Sequence, residues 1–85
     1  MESIILYDLE KIANIIANNA NSKAIKDTKF GLDYLISNVE EQTLLDMGFE
    51  YKGMTNEVGF ETPLYKMGNI EAIFIDQILC VYKVM

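Results

Sequence analysis

The chain has 85 residues and a net charge of −6, and 51% of its residues are hydrophobic. A chain of this length forms one domain with a modest core, and this hydrophobic content excludes disorder. The seven basic residues are all lysines. The acidic balance and the absence of arginine argue against direct nucleic-acid binding, which depends on clustered Lys and Arg.

Histidine is absent from the sequence. The commonest general base at neutral pH and the commonest metal ligand are therefore missing. Neither a phosphate-binding glycine loop nor a calcium loop is present. We therefore predict no catalytic residue, no cofactor and no metal site, and we interpret the chain as a non-enzyme.

The single cysteine, Cys80, lies in an apolar run and cannot form a disulfide within the chain. The start of the sequence has an acid at position 2 where a signal peptide carries cationic residues, and no apolar run approaches about 18 residues. We expect a cytoplasmic protein that does not contact a membrane.

Residues 2–19 are predicted to form a helix because their apolar residues recur at spacings of three and four. This stripe consists of Ile5, Leu9, Ile12 and Ile16. The Asn- and Ser-rich run 18–22 ends the pattern, since these side chains compete for backbone hydrogen bonds.

A second helical segment is predicted from about residue 28 to Ser37. It either continues to Met47 or breaks after Ser37, and we favour the break because Ser37 and Glu40 match a capping box. Gly48 is a good helix stop, with Phe49 folded back on the last turn.

Four strands are predicted at 49–54, 60–67, 70–75 and 78–84, joined by turns at 56–57, 68–69 and 76–77. This register sets Lys66 opposite Glu71 and Lys52 opposite Glu61. The prediction is a single α+β domain, residues 1–85. Two or three helices within 1–48 pack on a four-stranded antiparallel meander within 49–85.

Both faces of the strands at 70–84 are apolar, so this hairpin needs cover on two sides. We assign one face to the core beneath the helices. It consists of Phe49, Tyr51, Phe60, Thr62, Leu64, Ile73, Ile75, Ile78, Cys80 and Tyr82. The other face is predicted to turn outward and to bind a partner, the alternative being that one helix crosses to this face and makes it core. This predicted apolar face consists of Tyr65, Met67, Ile70, Phe74, Leu79 and Val81.

Six acids fall in a short span around the predicted corner between helix and sheet. This predicted acidic corner consists of Glu40, Glu41, Asp46, Glu50, Glu57 and Glu61. Such a surface can dock in a basic groove, with carboxylates where phosphates would otherwise lie. The alternative interpretation of these acids is ordinary solubilising charge. The sequence thus favours a protein-binding module that occludes the basic surface of a protein partner. The alternative is a homodimeric structural or regulatory subunit that pairs through its sheet face.

In composition the chain resembles the small proteins of AT-rich bacterial phages, being short, acidic, His-free and rich in Asn, Ile and Lys. Inhibitors of host defence nucleases, such as anti-CRISPR proteins, occur among them. The resemblance implies an inhibitor of a nucleic-acid-targeting defence complex, and it rests on composition without an aligned motif.

Overall fold

The computed structural model describes residues 5–27 and 34–84, which form two helices and a six-stranded antiparallel sheet. The elements are α1 (Leu9–Asn19), β1 (Ala24–Lys26), β2 (Tyr34–Ser37), α2 (Glu41–Met47), β3 (Glu50–Thr55), β4 (Thr62–Met67), β5 (Ile70–Ile75) and β6 (Ile78–Lys83). The strand order is β1-β2-β6-β5-β4-β3. The predicted α+β class is confirmed, and the prediction of four strands is corrected to six.

The strands β1 and β2 were not predicted. Residues 34–37, predicted as the end of a helix, form β2, which pairs antiparallel with β6. The remainder of that predicted helix, 28–33, lies outside the described residues. Pairing with β2 satisfies backbone groups that β6 would otherwise leave open at a sheet edge, and this outweighs a weak helical pattern.

The helix α1 begins at Leu9, seven residues later than predicted. Asp8 caps it, because its carboxylate accepts a hydrogen bond from the Lys11 amide at 3.1 Å. Ile5 precedes the helix and is 63% exposed, so it is not part of the buried stripe. The predicted end is confirmed, since the helix stops at Asn19.

The predicted break after Ser37 is confirmed, but its predicted capping box is wrong. Ser37 ends β2 and its hydroxyl lies 3.0 Å from that of Ser22, while Glu40 is itself the N-cap of α2. The C-terminal stop is as predicted. Gly48 has a φ of 111°, and the Phe49 amide donates to the Leu44 carbonyl at 3.0 Å.

The predicted registers of β5 with β6 and of β4 with β5 are confirmed, including the pairing of Lys66 with Glu71. The predicted pairing of Lys52 with Glu61 is wrong. The connection between β3 and β4 spans residues 56–61 rather than the predicted 56–57, so Thr55 pairs with Thr62. A bulge between Tyr51 and Met54, where Gly53 takes a φ of 91°, shifts the register of β3 by one residue. Lys52 instead bonds Glu50, its neighbour along the strand, at 3.0 Å.

The two faces of the sheet are exchanged relative to the prediction. The helices cover the face predicted to turn outward. Tyr65, Met67, Ile70, Leu79 and Val81 are buried there in one cluster with Ile12, Ala13, Ile16, Ala17 and Leu44, and Phe74 packs against it. Ala13 and Ala17 of α1 have small side chains, which allow the helix to approach this face closely. This close packing explains why the helices cover this face of the sheet. Within the described residues, no helix covers the opposite face, termed here the outer face.

The outer face therefore carries residues predicted to lie beneath the helices. Ile73 and Cys80 are buried there all the same, whereas Leu64, Ile75, Ile78 and Tyr82 are half-buried. Phe49, predicted with them, is buried in the helix-side cluster. Phe60 is 44% exposed and Tyr51 is 53% exposed, so neither belongs to the core.

Asn69 fastens the segment that precedes α1 to the turn between β4 and β5. Its side chain accepts from the Tyr7 amide at 2.6 Å and donates to the Tyr7 carbonyl at 3.2 Å. Asn69 is buried, and its own carbonyl accepts from the Val84 amide at 2.7 Å. The Asn69 side chain thus makes both backbone hydrogen bonds of Tyr7 that a neighbouring strand would otherwise make.

We expect Asn69→Ala to lower the free energy of unfolding by about 1–3 kcal/mol, because it leaves both backbone groups of Tyr7 without partners. Urea denaturation measures this change. Asn14→Ala, at an exposed position of α1, is the control and should change stability by less than about 0.5 kcal/mol. Equal stability of the two variants would contradict this role for Asn69.

Candidate functional site at the acidic end of the sheet

The antiparallel meander brings two connections to the same end of the sheet. Strands β3 to β6 run alternately up and down, so the β3–β4 loop (residues 56–61) and the β5–β6 turn (residues 76–77) are neighbours there. Glu40, the N-cap of α2, lies at this end too, because it lines a cleft with Asp76 and Gln77.

Four carboxylates collect at this position, which is named here the acidic end: Glu40, Glu57, Glu61 and Asp76. All four residues are exposed. None of the four side chains takes part in a salt bridge or side-chain hydrogen bond within the described residues. Asp76 was not among the predicted site residues, since it was interpreted only as a turn residue.

The predicted acidic corner is not one surface. Glu50 lies at the opposite end of the sheet, because it pairs with Lys66 beside the 68–69 turn. Asp46 lies on α2 and lines a separate cleft with Asn19 of α1. Asp46 accepts from the Gln42 amide at 2.8 Å, and Glu50 pairs with Lys52. Glu41 accepts a hydrogen bond from the hydroxyl of Tyr65. Three of the six predicted acids are therefore brought together.

Charge is unevenly distributed along the sheet. Lys26, Lys66 and Lys83 lie towards the end opposite the acidic end, as their strand registers show. Of the described lysines, Lys23 is the one beside the acidic end, across the sheet on the far edge at β1. A basic partner would accordingly meet an attractive field at one end of the molecule.

The helix side of the acidic end contains a cleft of about 580 Å³. Glu40 and Asp76 lie on two different elements at its rim, and the half-buried Phe74 is part of its wall. The other lining residues are Ser37, Asn38, Val39, Gln77 and Ile78. The cleft combines two uncommitted carboxylates with apolar surface, which suits a basic protein segment.

The turn beside this cleft has a strained backbone. Asp76 and Gln77 have φ values of 49° and 70°. Aspartate is tolerated in the left-handed region, as in Asp-Gly turns, whereas glutamine is not a residue that such a turn favours, because this region costs it roughly 1–2 kcal/mol. The strain therefore lies at Gln77, beside the acidic end.

We expect Gln77→Gly to raise the free energy of unfolding by about 1 kcal/mol, because glycine adopts positive φ without steric cost. Thermal or urea unfolding measures the gain. Gln77→Ala retains a Cβ atom and is the matched control, for which we expect no gain. A destabilised glycine variant would show that the Gln77 side chain supports the fold.

Apolar side chains are exposed beside the acids. Val58 is 37% exposed and Phe60 is 44% exposed, both in the β3–β4 loop, and Met54 of β3 is 54% exposed. Exposed aromatic and aliphatic groups between carboxylates are typical of a contact surface rather than of a solubilising one. The signal was present in the sequence as Val58-Gly59-Phe60, of which only Phe60 was predicted to lie in a strand.

Tyr65 joins the helix-side core to α2. Its ring packs against those of Tyr51 and Phe74, with centroids 5.8 and 6.1 Å away, and its hydroxyl donates to the Glu41 carboxylate. Burial raises the pKa of Tyr65 above its ordinary value, and the bond to Glu41 raises it further. The same two causes raise the pKa of Tyr82, whose hydroxyl donates to Glu71 at 2.8 Å.

We expect stability to fall as pH rises above about 10, the pKa of an exposed tyrosine. The folded chain binds the Tyr65 proton more tightly than the unfolded chain does. The contribution of this tighter proton binding to the free energy of unfolding is complete below pH ~10. It is lost above that pH, at up to about 1.4 kcal/mol per pH unit. Urea unfolding from pH 8 to pH 12 measures this slope. Tyr65→Phe should make the slope shallower, and an unchanged slope would contradict the assignment.

Within the described ranges, no cluster of three or more Cys, Asp or Glu side chains is arranged to hold a metal ion. Neither described helix is long and apolar enough to cross a membrane. The chain matches no protein-family model, and comparison with curated proteins and with solved structures returns no match.

Proposed function

We propose that this chain is a non-enzymatic protein-binding module that docks its acidic end on a basic partner and occludes the surface it covers. The observation that carries the proposal is the collection of four uncommitted, exposed carboxylates from three separate elements at one end of the sheet. A partner can bind these carboxylates without breaking any side-chain contact within the fold, and their charge speeds the encounter of the two proteins.

Apolar contacts supply the second part of the proposed interface. Val58 and Phe60 lie in the same loop as two of the acids, and Phe74 lines the cleft between Glu40 and Asp76. Charge complementarity alone gives rate and specificity more than affinity, so a stable complex requires apolar anchors of this kind. The acidic end offers both.

A basic groove that accepts carboxylates is also a groove that accepts phosphates. Occlusion of a nucleic-acid-binding surface is therefore the proposed mode of action, in agreement with the phage-inhibitor resemblance in composition. The helix-side face of the sheet is not part of the proposed interface, because its side chains are committed to the core.

Capture from a lysate of the source cell, followed by mass spectrometry, identifies the partner. The decisive step is a competition assay between the immobilised chain and a single-stranded oligonucleotide for the purified partner. We expect mutually exclusive binding. A ternary complex of chain, partner and oligonucleotide would reject occlusion, and a partner without a basic surface would reject the role of the acidic end.

The alternative function is a homodimeric structural or regulatory subunit that pairs through the outer face. One observation favours it: half-buried apolar residues of four strands, Leu35, Leu64, Ile75 and Ile78, lie on this face. Molecular mass in solution separates the two functions. A monomer supports the leading proposal, whereas a dimer that persists at high salt and dissociates on Leu64→Glu supports the alternative.

A further inference from the structure

A second cavity of about 290 Å³ lies on the outer face, where the β3–β4 loop reaches across β4 towards β5 and β6. Val58 and Glu57 of the loop form one wall, and Ile73 and Cys80 form the buried floor. Thr55, Ile75 and Tyr82 complete the lining. This cavity, named here the loop pocket, adjoins the acidic end through Glu57.

The lining of the loop pocket contains apolar side chains, two residues with hydroxyl groups (Thr55 and Tyr82) and one carboxylate, Glu57. The Thr55 hydroxyl accepts a hydrogen bond from the Glu57 amide at 3.4 Å. The Tyr82 hydroxyl donates a hydrogen bond to Glu71. The Glu71 carboxylate lies 4.0 Å from the Lys66 ammonium, so the charges of Glu71 and Lys66 offset each other. Glu57 has no salt bridge within the described residues and is exposed. A ligand thus meets apolar walls and a single uncompensated negative charge at the rim.

This combination matches the chemistry of a long basic side chain. Lysine and arginine bury an aliphatic stem along apolar surface while the charged head stays at the solvent boundary. An anionic ligand would be repelled by Glu57, and a purely apolar ligand would gain no electrostatic attraction from it. The volume lies at the lower limit of ligand cavities, roughly 300 Å³, so it suits one side chain rather than a larger molecule.

We propose that the loop pocket receives a lysine or arginine side chain of the partner protein, with its stem on Ile73, Ile75 and Val58 and its head on Glu57. The inference rests on the proposed function for the source of the side chain and deepens it by naming the anchor. The pocket thereby adds depth to an otherwise shallow acidic surface, since a buried anchor surrounded by complementary charge is the usual centre of an interface.

The test uses three pentapeptides, Gly-Gly-X-Gly-Gly with blocked ends, and the intact chain followed by NMR. X is lysine, norleucine (stem without charge) or diaminopropionic acid (charge with a short stem). At millimolar concentration we expect saturable shifts at Val58, Ile75 and Tyr82 for the lysine peptide, with at least threefold weaker binding of the other two. Equal binding of the diaminopropionic peptide would overturn the proposal, as would shifts confined to the Glu40–Asp76 cleft.

Variants of the chain complete the test. Glu57→Gln should weaken the lysine peptide at least threefold, whereas Glu61→Gln, which removes the same charge at the same end outside the pocket, should leave it within twofold. Equal losses of affinity in the two variants would show that the lysine peptide responds only to the overall negative charge of the acidic end, and would overturn the pocket. If the peptides bind in the pocket but capture finds no basic partner, the proposed function fails alone. If a basic partner depends on the acidic end and the peptides do not bind, the pocket fails alone.

Discussion

Glu40→Lys combined with Glu61→Lys is expected to slow association with the basic partner at least tenfold at low salt. Both carboxylates lie at the acidic end and have no side-chain partner within the described residues. Their reversal replaces attraction by repulsion while the core stays intact, and steering of this kind changes association rates by about 10- to 1,000-fold. Stopped-flow or surface-plasmon kinetics at two salt concentrations measure the change.

The matched control places the same charge change on α1. Glu10→Lys, Asn14→Lys and Asn18→Lys lie on its exposed face and together raise the net charge of −6 by four units, as the double variant does. If steering depends on the acidic end, the control should lose less than about threefold in rate. Equal losses in the two variants would show that net charge alone matters. Unchanged association of the double variant would reject the acidic end.

The second large effect is on stability. Leu79→Ala should lower the free energy of unfolding by about 2–5 kcal/mol, because Leu79 is fully buried between the sheet and the helices and the cavity cannot close completely. Leu64→Ala, the same change on the outer face, removes a half-buried side chain and should cost only about 1 kcal/mol.

Urea denaturation of both leucine variants measures the difference, and it tests directly which face of the sheet the helices cover. A larger loss for Leu64→Ala than for Leu79→Ala would restore the face assignment predicted from the sequence.

The sequence determines the hairpin registers well. The turns at 68–69 and 76–77 fix the pairing of β4, β5 and β6, because a short connection between antiparallel strands leaves little choice of register. The faces could also have been predicted from that register. It places Lys66 and Glu71 beside Ile73, and a cross-strand ion pair marks the solvent side of a sheet.

Other features depend on contacts remote in sequence. Leu35 and Ile36 of β2 lie at helical spacing from Leu32 and Val39 in the sequence, and only the open edge of β6, more than forty residues later, makes them part of a strand. The β3–β4 connection likewise spans residues 56–61 rather than the predicted two-residue turn, so Thr55 pairs with Thr62 and Lys52 is separated from Glu61. These long-range effects decide which acids meet, so the acidic end could not be assembled from sequence spacing alone.

Amide hydrogen exchange of the chain, alone and bound to its captured partner, shows which end of the sheet the partner covers. We expect slower exchange on binding at residues 38–41, 56–61 and 74–78, which form the acidic end and its clefts. Slower exchange confined to the opposite end, around the 68–69 turn and Lys83, with residues 56–61 unchanged, would contradict the proposed role of the acidic end.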